Sequence, residues 1–210
     1  MAFEFNDHTL LFCNGEPPSR RRLLDVIRTP VKVVCADGGA HKAMSVGFFP
    51  DLIIGDLDSL DRTTTSFENS EIVRVPSQEN TDLEKTLNLL LERGESKFLI
   101  TSFSGGRIDQ TLANIQICYE YSKKCDIVLI DDQYVIFPAT THFESDLKIN
   151  TSISILPMED GTVVSTEGLA YELTKSKMPR GGHGISNRTI RERIKITVHQ
   201  GGVLFFIKDI

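Results

Sequence analysis

The sequence predicts an α/β domain with a mostly parallel sheet, followed by a smaller β-rich domain. Up to about residue 132, short and unbroken apolar runs alternate with helical patterns, which is typical of strands buried on both faces of a parallel sheet. Beyond that point no helical period remains, and short strand-like segments are separated by glycine turns. We therefore predict two domains, residues 1–132 and 133–210.

Six apolar runs are the predicted strands of the first domain. They cover residues 9–13, 31–36, 52–54, 72–75, 98–101 and 127–130. In the second domain the predicted strands cover residues 152–156, 162–165, 194–199 and 203–207. Because the second domain has fewer than 80 residues, we expect it to need docking or a partner for stability.

Two helices can be placed by their ends and their apolar stripes. One begins at Thr81, with Glu84 as its capping-box partner, and ends at Gly94. The other begins near Arg107. Their stripes are Leu83, Leu87, Leu90 and Leu91 in the first and Ile108, Leu112, Ile115 and Tyr119 in the second. We expect both helices to pack on the sheet through these stripes.

Composition excludes several classes of protein. Of the 210 residues, 40% are apolar and 25% are charged, which is ordinary for a globular chain and argues against intrinsic disorder. No apolar run reaches the roughly 18 to 20 residues that a membrane helix needs, and residues 1–7 lack the features of a signal peptide. We expect a soluble, cytoplasmic protein that has no membrane partner.

The cysteines point to the same compartment. Cys13, Cys35, Cys118 and Cys125 have no C-x-x-C spacing, and three of them lie in or beside apolar stretches. This pattern predicts buried thiols in a reducing compartment and argues against a structural zinc site.

Charge is distributed unevenly along the chain. The net charge of −6 argues against a protein that binds nucleic acid by neutralising phosphates. Residues 175–195 nevertheless contain seven cations and one anion. Two interpretations stay open for this stretch: a solvated basic face on surface strands, or a platform for an anionic ligand.

Polar residues directly follow most of the predicted strands of the first domain. Open α/β sheets bind ligands in the crevice at the carboxyl ends of their strands, so we expect the active site there. Turn chemistry alone also enriches Gly, Asn and Asp at strand ends, and that explanation stays open for any single turn.

The densest polar group is acidic. Residues 51–61 contain four carboxylates and no Lys or Arg, which is repulsive unless a cation lies between them. Asp56 and Asp58 form an Asp-x-Asp pattern after the third strand, and hard oxygen ligands of this kind suit Mg²⁺ carried by nucleotide phosphates. We interpret Asp51 and Asp61 as turn or cap residues; a satisfied turn is the alternative for Asp56 and Asp58.

Asp82 lies in the first turn of the predicted helix, where the helix dipole alone favours an acid. A functional role is supported by its place after the fourth strand, in the same crevice. Gln78 and Asn80 precede it and can donate hydrogen bonds to a base or a phosphate.

The segment over residues 104–110 joins a strand to a helix. Gly105 and Gly106 leave backbone N–H groups uncovered at a helix N-terminus, where an anion is favoured, and Arg107 adds a cation. The pattern is neither G-x-G-x-x-G nor the P-loop, so it predicts neither a dinucleotide-binding fingerprint nor a Walker NTPase.

The chain resembles the thiamine pyrophosphokinase family in four segments that occur in order. They are residues 35–40 (CADGGA), 55–59 (GDLDS), 78–82 (QENTD) and 105–110 (GGRIDQ), followed by residues 184–187 (GISN). Each segment alone is a weak signal, but the ordered set is specific. The resemblance extends from about residue 10 to the C-terminus.

This resemblance implies a Rossmann-like α/β domain with helices on both faces over residues 1–132, which binds ATP and Mg²⁺. It implies a β-sandwich over residues 133–210, which binds thiamine. The implied reaction transfers the pyrophosphoryl group of ATP to the hydroxyl of thiamine, giving thiamine diphosphate and AMP. A homodimer with a site shared between subunits is also implied.

The resemblance further implies roles for particular residues. Those implied to be catalytic and to hold Mg²⁺ are Asp56, Asp58 and Asp82. Those on the nucleotide side are Asp37, Gln78, Arg107 and Asp109. Ser186 and Asn187 would contact thiamine.

Two departures from the family leave roles unassigned. Many bacterial members have His where this chain has Gln110, so we assign no general base there. Some members place a Trp against thiamine, whereas this chain has no Trp, and a stacking partner has to be sought among Tyr and Phe residues such as Phe205. His183 and His199 are chemically able to bind or catalyse, but a histidine on a strand is more often structural, so neither is assigned a role.

Two other functions stay open. One is an Mg²⁺-dependent phosphohydrolase in which Asp56 is the nucleophile and Asp58 the acid/base, since Asp-x-Asp after a buried strand also suits an aspartyl-phosphate mechanism. The other is a nucleotide-sensing module that binds Mg²⁺ and nucleotide without turnover.

Overall fold

The computed structural model describes residues 3–27, 32–56, 67–76 and 79–208. The chain divides into two compact units, with the division between Asp132 and Gln133. The first unit contains α-helices and β-strands, whereas the described part of the second contains strands and no helix.

The first unit is built on six strands that all pair in parallel. They are β1 (Thr9–Phe12), β2 (Val33–Ala36), β3 (Leu52–Gly55), β4 (Glu71–Arg74), β5 (Lys97–Thr101) and β6 (Asp126–Ile130). Their order across the sheet is β6-β5-β1-β2-β3-β4. Strands β1, β2 and β3 are buried along their whole length, as unbroken apolar runs require. The predicted strands and parallel sheet are confirmed.

Within the described ranges, four helices lie between these strands: α1 (Arg20–Leu24), α2 (Gly39–Ser45), α3 (Asp82–Glu92) and α4 (Ile108–Tyr121). The predicted capping box of α3 is confirmed. Glu84 N–H donates to Thr81 Oγ1 at 3.3 Å, and Thr81 N–H donates to Glu84 Oε2 at 2.8 Å. The α3 stripe is buried at Leu83, Leu87 and Leu90, whereas Leu91 is half-buried.

The predicted burial of the α4 stripe is wrong in its first half. Ile108 is 77% exposed and Leu112 is 58% exposed, and the buried residues of the helix are Cys118 and Tyr119. Ile108 and Leu112 belong neither to the core nor to the lining of the cavity described below, which the first turns of α4 border through Gln110, Thr111 and Asn114 instead. An apolar period identifies a face of the helix, but not how far along that face the neighbouring elements extend.

The second unit consists of two antiparallel sheets. One has the order β12-β9-β14-β7 and the other β11-β10-β13-β8. The strands are β7 (Tyr134–Ala139), β8 (His142–Asp146), β9 (Ser152–Pro157), β10 (Val163–Glu167), β11 (Ser176–Lys177), β12 (Asn187–Arg188), β13 (Arg193–Gln200) and β14 (Val203–Lys208). The expected β-rich second domain is confirmed.

Aromatic rings join these two sheets into a sandwich. The Phe143 ring, on β8, lies 4.8 Å from the rings of both Phe137 and Phe205, on β7 and β14. Burial alternates along β9 and β13, so each strand has one inward face. Phe205 is fully buried in this core, which makes it unsuitable as an aromatic partner for thiamine.

The basic stretch of the second unit is partly neutralised within that unit. Arg193 donates to Glu144 Oε1 at 2.8 Å and to both oxygens of Asp146 at 3.2 Å. Arg180 donates to Asp160 Oδ1 at 2.7 Å. For these arginines the structure favours a solvated face with local ion pairs over an anion platform.

The helices within the described ranges lack the length and apolar character needed to span a bilayer. All four cysteines are free thiols, and Cys13, Cys35 and Cys118 are buried. Burial raises the pKa of Cys13 to about 12, so this thiol is neutral and unreactive at physiological pH.

Candidate active site

A cavity of about 300 Å³ lies in the first unit at the carboxyl ends of its central strands. Its wall contains Asn14 after β1, Asp56 after β3 and Ser104 after β5. The first turns of α3 and α4 complete it, with Asp82 and Arg107. The cavity therefore occupies the crevice where an open parallel sheet binds ligands, as the strand-end residues predicted.

Asp56 is placed in this wall by β3. It directly follows Gly55, the last residue of the strand, and its side chain is half-buried. Its backbone carbonyl accepts a hydrogen bond from Arg74 Nε at 3.3 Å, which ties the end of β3 to that of β4. The predicted partners Asp58 and Gln78 lie outside the described residues.

Asp37 directly follows β2 and is only 4% exposed. Its φ angle of 42° lies in the left-handed region, which Asp tolerates better than most residues. Gly55 leaves room for it: a Cβ there would lie 2.7 Å from Asp37 Cβ. Asp37 Oδ1 is buried and has no hydrogen-bond partner among the described residues. Such an orphan oxygen is an acceptor that a bound cation or donor can satisfy.

Asp82 and Lys85 form an ion pair in the first turn of α3. Lys85 Nζ donates to Asp82 Oδ1 at 2.9 Å. The side chain of Asp82 is 34% exposed, whereas that of Lys85 is 4% exposed, and both residues line the cavity. The pair fixes one carboxylate oxygen of Asp82 and leaves the other for a ligand.

Arg107 and Asp109 form a second pair, at the start of α4. Arg107 Nε donates to Asp109 Oδ1 at 3.1 Å, and a terminal nitrogen donates to Oδ2 at 2.5 Å. This pairing and the Gln110 N–H hold the pKa of the exposed Asp109 carboxyl below its usual value. Arg107 lines the cavity, whereas Asp109 does not. Arg107 also precedes α4 without a side-chain cap, so the helix N-terminus keeps N–H groups for an anion.

Lys85 and Asn114 are among the cavity residues that the sequence reasoning missed. Lys85 stands between Glu84 and Thr86 in a helix that also carries charged residues, but a lysine in the first turn opposes the helix dipole, and that anomaly was a usable signal. Asn114 lies two turns into α4, and its Nδ2 donates to Phe103 O at 3.0 Å. Nothing in the sequence pattern distinguishes Asn114 from an exposed helix residue.

The predicted thiamine residues lie at the start of β12 in the second unit. Ser186 has a φ angle of 62°, and its N–H donates to Ser154 Oγ at 3.2 Å. Asn187 is only 8% exposed. Its Oδ1 accepts from the N–H groups of Tyr171 and Arg188, and its Nδ2 donates to Tyr171 O at 2.8 Å. The Asn187 amide thus holds the backbone in place, whereas Ser186 is exposed.

Comparison with protein families identifies both units. Residues 25–129 match the model of the thiamin pyrophosphokinase catalytic domain, and residues 140–203 match that of the thiamin pyrophosphokinase vitamin B1 binding domain. The chain belongs to the thiamine pyrophosphokinase family. The first match lies within the unit that contains the cavity, and the second lies within the β-sandwich.

Relatives in distant organisms support membership of this family. Thiamine pyrophosphokinase 2 of Oryza sativa subsp. japonica is 28% identical, covering 82% of this chain and 76% of its own length. The thiamine pyrophosphokinase of Bacillus subtilis is 29% identical, covering 82% and 85%. Pyrophosphoryl transfer from ATP to thiamine is the function of this family, and the predicted enzyme class is confirmed.

Solved structures confirm the fold. The crystal structure of the Bacillus subtilis thiamine pyrophosphokinase superposes with a TM-score of 0.82 at 22% identity, covering 95% of this chain and 98% of that one. The Candida albicans thiamin pyrophosphokinase gives a TM-score of 0.81 at 18% identity, covering 99% and 93%.

The residues of the cavity fit a hard divalent cation. Asp56 and Asp82 contribute carboxylates to its wall. Asp37 does not line the cavity, but its buried Oδ1, after the neighbouring strand β2, has no hydrogen-bond partner within the described ranges. Within the described ranges no three His, Cys, Asp or Glu side chains converge as a preformed metal cluster, and Asp58 lies outside those ranges. A few carboxylates with room for water and phosphate oxygens are what Mg²⁺ takes in nucleotide enzymes.

Proposed function

We propose that this chain transfers the pyrophosphoryl group of ATP to the hydroxyl of thiamine, giving thiamine diphosphate and AMP. The observation that carries the proposal is the match of both family domains, in order, to the two units of the chain. The cavity supports it, because its carboxylates, cations and uncapped helix N-terminus suit a magnesium–nucleotide complex.

Within the proposal, Asp56, Asp58 and Asp82 hold Mg²⁺. The metal, when bound, neutralises phosphate charge and helps to orient the group that is transferred. Asp82 is already oriented by Lys85, so its free oxygen needs no rearrangement to act as a ligand. Positioning and charge neutralisation are most of what phosphoryl-type transfer asks of a protein.

On the nucleotide side we place Asp37, Gln78, Arg107 and Asp109. Arg107 borders the cavity, and Asp109 holds its guanidinium through two hydrogen bonds. Asp109 therefore acts through Arg107, since it does not line the cavity itself. This arrangement supports a role for Arg107 as an anchor for phosphate oxygens.

Thiamine is assigned to the second unit, at Ser186 and Asn187. Ser186 is exposed, so its hydroxyl is available for a ligand. The side-chain hydrogen bonds of Asn187 to Tyr171 support a role in shaping this segment. We place the enzyme in the cytoplasm, which the free and buried cysteines support.

A direct assay tests the activity. The protein is incubated with Mg²⁺, ATP and thiamine, and AMP is separated from ADP. We expect AMP and thiamine diphosphate in equal amounts; ADP as the main product would refute pyrophosphoryl transfer. Phosphate release with ³²P retained on the protein would instead favour the phosphohydrolase with Asp56 as nucleophile.

We also propose a homodimer in which each site takes residues from both subunits. Asp56→Asn and Asn187→Ala proteins, each folded and nearly inactive, are mixed equally and allowed to exchange subunits. Half of the dimers are then mixed, and each has one intact site, so about a quarter of wild-type activity should return. Verified exchange without recovered activity would place each site within one chain.

A further inference from the structure

Lys85 occupies a position that helix and core energetics disfavour. It lies in the first turn of α3, where the positive end of the helix dipole repels a cation. Its side chain is 4% exposed, and lysines are rarely buried to that extent unless they are paired. Its two-residue spacing from Leu83 and Leu87 also places it on another side of α3 from the apolar stripe. Its presence therefore calls for a role beyond folding.

The two cations of the cavity differ in how firmly they are held. Arg107 is 71% exposed, and Asp109 takes two of its five N–H donors. Lys85 is buried in the wall and is fixed by Asp82 at 2.9 Å. An ammonium group has three N–H donors, and Asp82 takes one of those of Lys85. Among the described residues no further hydrogen-bond acceptor of Lys85 is found, so donors are left for a ligand in the cavity.

We propose that Lys85 binds the phosphate chain of the nucleotide in this cavity, with Asp82 holding its ammonium group in place. The inference rests on the proposed function for the identity of the reaction, but the ligand chemistry is that of a polyphosphate. A fixed cation in a partly desolvated wall interacts more strongly with phosphate oxygens than an exposed one, because solvent screens it less. Lys85 would thus be a fixed positive charge beside the phosphates, whereas the attraction of the exposed Arg107 for them is weakened by solvent.

Equilibrium binding tests the contact without requiring turnover. Wild type and Lys85→Met are titrated with Mg-ATP, with inorganic tripolyphosphate and with adenosine, in the absence of thiamine. Methionine keeps the length and apolar stem of the side chain. We expect the Kd for ATP and for tripolyphosphate to rise by about 10- to 100-fold, as losing a hydrogen bond to a charged group does. Adenosine binding should be unchanged, because adenosine carries no phosphate.

A matched control is available at the end of α4, just beyond its last residue Tyr121. Lys123 pairs with Glu120 at the same i, i+3 spacing, at 3.0 Å, but does not line the cavity. Lys123→Met should bind ATP as wild type does. If Lys85→Met also binds ATP and tripolyphosphate within about twofold of wild type, the phosphate contact is refuted.

A double variant separates a direct contact from an effect through Asp82. If Lys85 touches phosphate, Lys85→Met weakens tripolyphosphate binding further in an Asp82→Asn background. If Lys85 only orients Asp82, the second substitution adds nothing, and the proposal is overturned. Lys85→Gln, which keeps a donor without the charge, replaces the methionine variant if that protein does not fold.

The outcomes also separate this inference from the proposed function. Wild-type protein that binds ATP through Lys85 but makes no thiamine diphosphate would sustain the contact and refute the reaction. Thiamine diphosphate formation by the wild type, together with an ATP affinity that does not change in Lys85→Met, would support the reaction and refute the contact.

Discussion

The two ends of the parallel sheet in the first unit are built for different purposes. At the amino ends, the buried His8 lies between two carboxylates. Its Nδ1 is 3.0 Å from Asp7 Oδ1, and its Nε2 is 3.4 Å from Asp126 Oδ2, which is within ion-pair range but long for a hydrogen bond. Lys97 pairs with the other oxygen of Asp7. The charged groups at this end have ion-pair partners within the chain, although His8 Nε2 makes no hydrogen bond among the described residues.

At the carboxyl ends, matching is incomplete. Asp37 and Ser102 directly follow β2 and β5, the neighbours of β1, and both are buried with φ angles of 42° and 54°. Asp37 Oδ1 and Ser102 Oγ each lack a hydrogen-bond partner among the described residues. Strained backbone and unsatisfied polar atoms persist where function requires them. The amino end of the sheet is therefore built for stability and the carboxyl end for a ligand.

The largest effect should come from the two aspartates that bracket β3. Asp56→Ala, at the carboxyl end, should lower thiamine diphosphate formation by at least about 10²-fold, as losing one electrostatic stabiliser does. Asp51→Ala, at the amino end, should lower the melting temperature, because Asp51 Oδ2 accepts the Val33 N–H at 2.7 Å. Its activity per folded molecule should stay at the wild-type level. Turnover and thermal unfolding are measured on both proteins. If Asp51→Ala lost activity and Asp56→Ala lost only stability, the roles assigned to the two ends would be reversed.

The second prediction compares two neighbouring residues of the β-sandwich, one that holds the backbone and one that is exposed. Asn187→Ala removes three hydrogen bonds to backbone groups, and we expect it to destabilise the chain by about 1 to 3 kcal/mol in urea unfolding. Ser186→Ala removes an exposed hydroxyl and should leave stability unchanged while raising KM for thiamine. Equal stability of the two variants would mean that the Asn187 amide is not needed by the backbone.

The third prediction concerns the unpartnered oxygen of Asp37. Asp37→Asn keeps the shape of the side chain and tolerates the positive φ angle, so metal-free protein should keep or slightly gain stability. Mg-ATP affinity should fall. A loss of more than about 1 kcal/mol in the metal-free protein would show that the carboxylate is a structural acceptor.

Much of the fold was predictable because these strands and helix ends are each recognisable from a short stretch of sequence. The runs at Val33–Ala36 and Leu52–Gly55 are unbroken and apolar, and the Thr81–Glu84 capping box needs only four residues. Burial along α4 was not predictable: Ile108 belongs to the apolar period but faces solvent, because the extent of neighbouring elements is a tertiary property.

The candidate site was predictable to the extent that it follows strand ends. Asp56 and Asp82 were found in this way, and both line the cavity. Lys85 was missed because, although a lysine in the first helical turn is unusual, its role depends on burial beside Asp82, which the sequence alone does not show. Asn187 shows the opposite problem. The motif marks it as a ligand contact, but its side chain also hydrogen-bonds to the backbone.

The smallest effect, and the one that most directly tests the amino end, is a dependence of stability on pH. The close approach of His8, with charge from His8 and Lys97, holds the pKa of the Asp126 carboxyl below its usual value despite partial burial. A lowered folded-state pKa means that the ionised carboxylate stabilises the fold. That contribution is present above the unfolded pKa of about 3.9 and is lost as the pH falls through the lower folded-state value. The wild-type melting temperature should therefore fall more steeply below about pH 4 than that of Asp126→Asn, whereas the exposed Asp25→Asn should follow wild type. Parallel curves for wild type and Asp126→Asn would show that this carboxylate contributes nothing to the stability of the amino end.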